Sequence, residues 1–128
     1  MTPEPELGNH WRKGRAGFGR ILDAVGYSLA GLHAAYVGEA AFRQLLWLAV
    51  LLIPIAFWLH VSRLERAMLI AVVLLALLVE LLNSAIEAVV DRISLTLHPL
   101  SKQAKDMGSA AQMVALVIIA AVWGLILL

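Results

Sequence analysis

A chain of 128 residues with 62% hydrophobic side chains and a mean hydropathy of +0.86 carries too few polar groups to cover a water-soluble globule of this size. Ten Lys and Arg against nine Asp and Glu leave a formal charge of +1, so no nucleic-acid partner is expected. With no cysteine present, disulfides, zinc-thiolate sites and a thiol nucleophile are excluded, and any metal has to sit on carboxylate or imidazole.

Residues 1–16 hold Pro3, Pro5 and Gly8 without an apolar period, and read as a flexible tail ahead of a single domain, 17–128. Arg12, Lys13 and Arg15 are not followed by a signal-like apolar core, so a cleaved leader is not expected. Phe18, Leu22, Val25, Leu29, Leu32 and Tyr36 then recur at three-four spacing opposite Arg20, Asp23 and Ser28. This pattern predicts an amphipathic helix over about 17–37, lying on a membrane surface.

From Gln44 to Ser62 no formal charge occurs, which predicts a first membrane span over about 40–61 with Pro54 as a tolerated kink. Ser62 and Glu65 have the spacing of a capping box, opening a second span over about 63–92. Its first part, Ala67 to Val79, is wholly apolar, but the helical pattern continues through Glu80, Asn83, Ser84, Glu87 and Asp91. Thr96-Leu97-His98-Pro99 reads as a turn, and the uncharged stretch Met107 to Leu128 predicts a third span over about 102–128. The fold class expected is therefore an all-α membrane protein, a surface helix plus three transmembrane helices.

Lys and Arg number five before and around the start of the first span (Arg12, Lys13, Arg15, Arg20, Arg43), two after it (Arg63, Arg66), three after the second (Arg92, Lys102, Lys105) and none after the third. The bias puts the N-terminus and the second connection in the cytoplasm and Leu128 outside, with Trp58 and Trp123 near the outer interface.

Glu80, Asn83, Ser84, Glu87 and Asp91 fall within about 100° of one helix face. Each ionisable group near the bilayer centre costs at least about 2.5 kcal/mol, so this face needs partners or a wet cavity. With Arg66 as outer boundary, Glu80 lies about 21 Å in and Glu87 about 31 Å in, while Glu39, twenty-four residues before Arg63, lies about 36 Å from the outer boundary by the same rise. Glu39 and Glu87 thus approach one depth, near Lys105 and Asp106, with Glu80 deeper in the bilayer.

Phosphoryl transfer fits this arrangement. A hard divalent ion such as Mg²⁺ takes one or two carboxylates plus phosphate oxygens, which Glu39 and Glu87 can supply, and Lys105 can offset phosphate charge. Glu80, shielded from bulk water, suits a general base for a lipid hydroxyl. The same spacing also fits a bundle in which the acids merely pair with Arg20, Arg43, Arg92 and Lys105, and a small proton-coupled transporter with Glu80 as its protonation site.

Three segments carry a resemblance: Glu39-Ala-Ala-Phe-Arg-Gln44, Glu80-Leu-Leu-Asn-Ser-Ala-Ile-Glu-Ala-Val-Val-Asp-Arg92 and Ala104-Lys-Asp-Met-Gly-Ser-Ala-Ala111. They resemble the bacterial integral-membrane diacylglycerol kinases, from about Gly17 to the C-terminus. The resemblance implies a kinase domain that forms a homotrimeric bundle with active sites shared between subunits, in the bacterial inner membrane. It implies a lipid kinase that moves the γ-phosphate of ATP, with Mg²⁺, to the hydroxyl of 1,2-diacylglycerol, giving phosphatidic acid and ADP. Carried over by position, Glu80 is the catalytic base with Asn83 beside it, and Glu39 and Glu87 are metal and nucleotide ligands. Arg20, Tyr27, Lys105 and Asp106 are nucleotide contacts, joined by His98 because its turn faces the site. Arg20, Ser28, Glu80 and Ser109 line the lipid site. Asp23 and Ala30 stand where lysines are expected, and His33 where arginine is expected, which weakens the surface helix's share of phosphate binding. Undecaprenol, the acceptor of related Gram-positive enzymes, is the alternative substrate; Met107-Gly108-Ser109-Ala110-Ala111 after Lys105-Asp106 looks more like the diacylglycerol group.

Overall fold

The computed structural model describes residues 17–128, and the tail expected over 1–16 lies outside the described residues. Four helices follow in order: α1 (Phe18–Gly38), α2 (Ala40–Trp58), α3 (Arg63–Ile93) and α4 (Pro99–Leu127), with no strand among the described residues. Gly17, at φ 71°, makes the left-handed step before α1, a conformation that costs glycine nothing. The part of α1 up to His33 belongs to one compact unit, and Ala34–Leu128 forms the other.

Three helices, α2, α3 and α4, are long and apolar enough to cross a membrane. Their lengths follow from local chemistry. Ser62 Oγ accepts the Glu65 amide at 3.1 Å while Glu65 Oε1 accepts the Ser62 amide at 3.0 Å, so the expected capping box starts α3. From there α3 runs 31 residues, about 46 Å, which is longer than a hydrocarbon core of about 30 Å, so one end must leave the core. Pro54 sits inside α2 without ending it. Pro99 occupies the first turn of α4, where its missing N–H is no loss, and α4 therefore opens at Pro99, ahead of the 102 expected from charge.

Helix α3 packs against both α2 and α4. The shared core is Leu45 and Ala49 of α2, Val72, Val73 and Ala76 of α3, and Ala115 and Ile119 of α4. Lipid tails are as apolar as these side chains, so association rests on close van der Waals packing, and Ala49, Ala76 and Ala115 let the backbones approach. Two polar clamps fix the end remote from the α3–α4 turn. Arg66 donates from Nε to the Ala56 carbonyl at 3.0 Å and from Nη2 to the Leu59 carbonyl at 2.9 Å, satisfying carbonyls at the end of α2 with a cation. Trp123 Nε1 donates to the Leu69 carbonyl at 3.1 Å and ties α4 to α3, so this indole is a helix clamp. Trp58, by contrast, is 81% exposed at the end of α2.

Candidate active site

On α3, Glu80, Asn83 and Glu87 share one helix face at i, i+3 and i+7. With Glu39 at the start of α2 and Ser109, Gln112, Met113 and Leu116 on α4, they line a cavity of about 350 Å³. Glu80 is 3% exposed, and the charges of both Glu87 and Glu39 act on it. Among the described residues none of these three carboxylates forms an ion pair: Lys105 Nζ meets Asp91 Oδ1 at 2.7 Å and Lys102 Nζ meets Asp106 Oδ2 at 2.6 Å. Arg43 is engaged elsewhere, donating to the Tyr36 carbonyl at 2.7 Å and the Val37 carbonyl at 3.1 Å. The bundle-glue reading thus describes Asp91 with Lys105 and fails for the glutamates. Three carboxylates gathered without a counter-charge in a low-dielectric segment have to be neutralised, either by taking up protons or by a bound cation.

Glu39 reaches the cavity in a way that helical spacing does not give. It lies at φ −124° and ψ 110°, an extended residue between α1 and α2, and its side chain makes no capping hydrogen bond. Its amide still donates to the Ala35 carbonyl at 2.9 Å, so backbone bonds hold the break while the carboxylate stays unpaired. Counting a continuous rise from Glu39 to Arg63 therefore does not fix the depth of Glu39, because only the 19 residues of α2, about 28 Å, are helical.

Asn83 is 9% exposed and its Oδ1 is buried without a hydrogen-bond partner. Gly108 of α4 faces it so closely that a Cβ there would collide with Asn83 Oδ1 and stand 3.0 Å from Cγ. Both helices need the missing side chain to bring Asn83 into the cavity. Gly108→Ala is expected to destabilise the protein by about 1–3 kcal/mol and to displace the Asn83 amide, read as a lower midpoint of detergent-monitored thermal unfolding and a lower kcat.

A second cavity of about 200 Å³ lies at the α3–α4 turn, lined by Asp91, His98, Lys102, Lys105 and Asp106 among others. His98 Nδ1 accepts the Leu100 amide at 3.0 Å and caps α4, a structural duty that the nucleotide expectation did not include. Sequence spacing groups Lys105 and Asp106 with Glu39 and Glu87; the structure puts them on this neighbouring cavity. The long Lys105 side chain swings toward Asp91, one turn nearer the connection than Glu87, although the Glu87 charge still reaches it. Arg20, Tyr27 and Ser28 lie on α1 in the unit ending at His33, where Ser28 Oγ donates to the Ala24 carbonyl at 2.9 Å.

Compared with known proteins, residues 26–127 match the sequence profile of prokaryotic diacylglycerol kinase. The chain belongs to the prokaryotic diacylglycerol kinase family. It is 70% identical over 128 residues to the diacylglycerol kinase of Pseudomonas aeruginosa, covering 100% of this chain and 99% of that protein. To the diacylglycerol kinase of Escherichia coli K12 it is 51% identical over 111 residues, 87% of this chain and 91% of that one. The diacylglycerol kinase of Helicobacter pylori is 45% identical over 112 residues, 88% of each chain.

Membership in the diacylglycerol kinase family sets aside the transporter reading and turns attention to what a kinase needs in this cavity. Glu39 and Glu87 are hard oxygen donors, and among the described residues no group of three or more His, Cys, Asp or Glu could hold a metal ion. That donor set fits Mg²⁺, which commonly binds through one or two carboxylates and completes its shell with phosphate oxygens and water. Sequence reasoning missed Gln112 and the Gly108–Asn83 contact. Gln112 had a signal, as the lone amide in the uncharged stretch 107–128, where an intramembrane polar group asks for an explanation. Gly108 carried only the generic mark of a small residue that permits close helix approach.

Proposed function

We propose that the chain transfers the γ-phosphate of ATP to the hydroxyl of 1,2-diacylglycerol, giving phosphatidic acid and ADP, at the cavity lined by Glu39, Glu80, Asn83 and Glu87. Membership in the family makes the chain a kinase acting on a membrane lipid, and the three spanning helices give it its place in the membrane. Glu80 accepts the proton of the acceptor hydroxyl as that oxygen bonds to the γ-phosphorus and the bond from phosphorus to ADP breaks. Asn83, packed between α3 and Gly108, positions the hydroxyl beside Glu80. Glu39 and Glu87 would hold Mg²⁺, which when bound neutralises charge on the phosphate oxygens. Lys105 stands one turn away to share the phosphate charge, and Arg20, Tyr27, His98 and Asp106 contact the nucleotide. Arg20, Ser28 and Ser109 contact the lipid.

The reading also takes the protein as a homotrimer with active sites shared between subunits, in a bacterial inner membrane, with the N-terminus and the α3–α4 turn in the cytoplasm where ATP is found. A neighbouring subunit would cover part of the acid-lined face that one protomer leaves open to lipid. The observation that supports the whole reading is the convergence on one cavity of three carboxylates, two from α3 and one from the extended residue ahead of α2, with no ion pair among the described residues. Its test is radiolabelled phosphate transfer in mixed micelles containing diacylglycerol or undecaprenol. Transfer to diacylglycerol in preference to undecaprenol is expected; preference for the polyprenol, or transfer to neither lipid, contradicts it.

A further inference from the structure

Both polar atoms of the Gln112 amide, Nε2 and Oε1, are buried without a hydrogen-bond partner, and Gln112 lines the carboxylate cavity. A buried donor and acceptor left unmade cost free energy, so a glutamine retained here needs something to bond. Its level in the bundle narrows what that is. Helices α3 and α4 run antiparallel across a short turn; Glu80 lies thirteen residues before Ile93 and Gln112 thirteen residues after Pro99. Gln112 therefore stands beside the deeper end of the cavity, level with the group assigned above to take the hydroxyl proton.

Along α4 the cavity face runs Ser109, Gln112, Met113, Leu116, at i, i+3, i+4 and i+7. It passes from hydroxyl to amide to thioether to hydrocarbon, with Gln112 where polar lining gives way to apolar. A diacylglycerol laid with its hydroxyl at Glu80 and its chains along Met113 and Leu116 brings its ester carbonyls to that transition. An ester carbonyl only accepts, and Gln112 offers a carboxamide N–H whose terminal torsion is broad, so the amide can turn toward the cavity at little cost.

We infer that Gln112 is a specificity residue that donates a hydrogen bond to an ester carbonyl of the acceptor lipid. The inference rests on the lipid-kinase reading above and adds the means by which a diester is told from a lipid without carbonyls. A site built around a hydrogen bond rejects the analogue that lacks the partner, because its own buried group is left unpaired.

The test compares 1,2-diacylglycerol with its 1,2-dialkyl ether analogue, which keeps the hydroxyl and chains but lacks both carbonyls, in wild type and in Gln112→Leu. Wild type is expected to favour the diester by about tenfold in kcat/KM, one hydrogen bond's worth. Gln112→Leu is expected to raise the diester KM by a similar factor, leave the ether analogue unchanged and leave the KM for ATP unchanged. If wild type uses the two lipids equally, or if Gln112→Leu depresses both equally, as loss of a bond to a neighbouring helix or subunit would do, the assignment falls while the lipid-kinase reading stands. If wild type phosphorylates neither lipid, that reading falls and takes this one with it. The wild-type comparison needs no folded variant, so equal use of the two lipids overturns the assignment even where Gln112→Leu misfolds.

Discussion

Glu80→Gln is expected to lower kcat by about 10²- to 10⁴-fold, the contribution of a positioned general base, with little change in the KM for ATP. Glutamine keeps the volume and shape of the side chain and removes its capacity to accept a proton. Glu80 is buried and makes no ion pair among the described residues, so no salt bridge is lost with the charge. The substitution also removes a buried acid that faces Glu39 and Glu87 across a single cavity, and the variant should unfold at or above the wild-type temperature. Loss of activity together with retained stability separates a chemical role from a structural one. A variant that keeps more than about a tenth of wild-type kcat removes Glu80 as the base.

Glu39→Ala and Glu87→Ala are each expected to raise the Mg²⁺ concentration for half-maximal activity by at least about tenfold, with activity only partly restored by excess metal. Partial rescue is the signature to look for. One remaining carboxylate and the phosphate oxygens can still hold the ion, but not in the position that the lost ligand enforced. The two variants should differ in detail. Glu39 occupies the extended residue between α1 and α2 and accepts no capping hydrogen bond, so its truncation leaves the backbone break intact. Glu87 is within electrostatic reach of both Glu80 and Lys105, so its loss also alters the field at the lysine paired with Asp91. Steady-state rates over a magnesium titration at fixed ATP distinguish these expectations from a purely structural loss, which added metal would not restore.

Helix existence was legible because hydropathy windows, the Ser62–Glu65 capping box and Pro99 are local signals that the folded chain obeys. The acidic face of α3 was legible for the same reason: positions 80, 83 and 87 lie on one helix, and helical periodicity fixes their relative azimuth. What periodicity cannot fix is how two helices are rotated against each other. Gly108 leaves room for Asn83 to sit against α4, and Gln112, one turn further along the same helix, lines the cavity. Lys105 shows the same limit, since its depth was readable but its choice of Asp91 depends on the rotamer of a long side chain. Glu39 needed the helix break, which no proline or turn dipeptide marks; Gly38 immediately before it is the one local hint. His98 was visible as part of a turn, and its capping bond to Leu100 follows once Pro99 begins the helix.

The most direct measurement on the carboxylate cavity is manganese binding, followed by electron paramagnetic resonance, with a non-hydrolysable ATP analogue as co-ligand. Protein with Glu80→Gln should bind the manganese-nucleotide complex as wild type does while transferring phosphate from ATP at least about a hundredfold more slowly, and protein carrying Glu39→Ala together with Glu87→Ala should lose that binding. Wild-type manganese-nucleotide affinity in the doubly substituted protein would show that these two residues do not hold the metal, and would contradict the division of labour among the three glutamates.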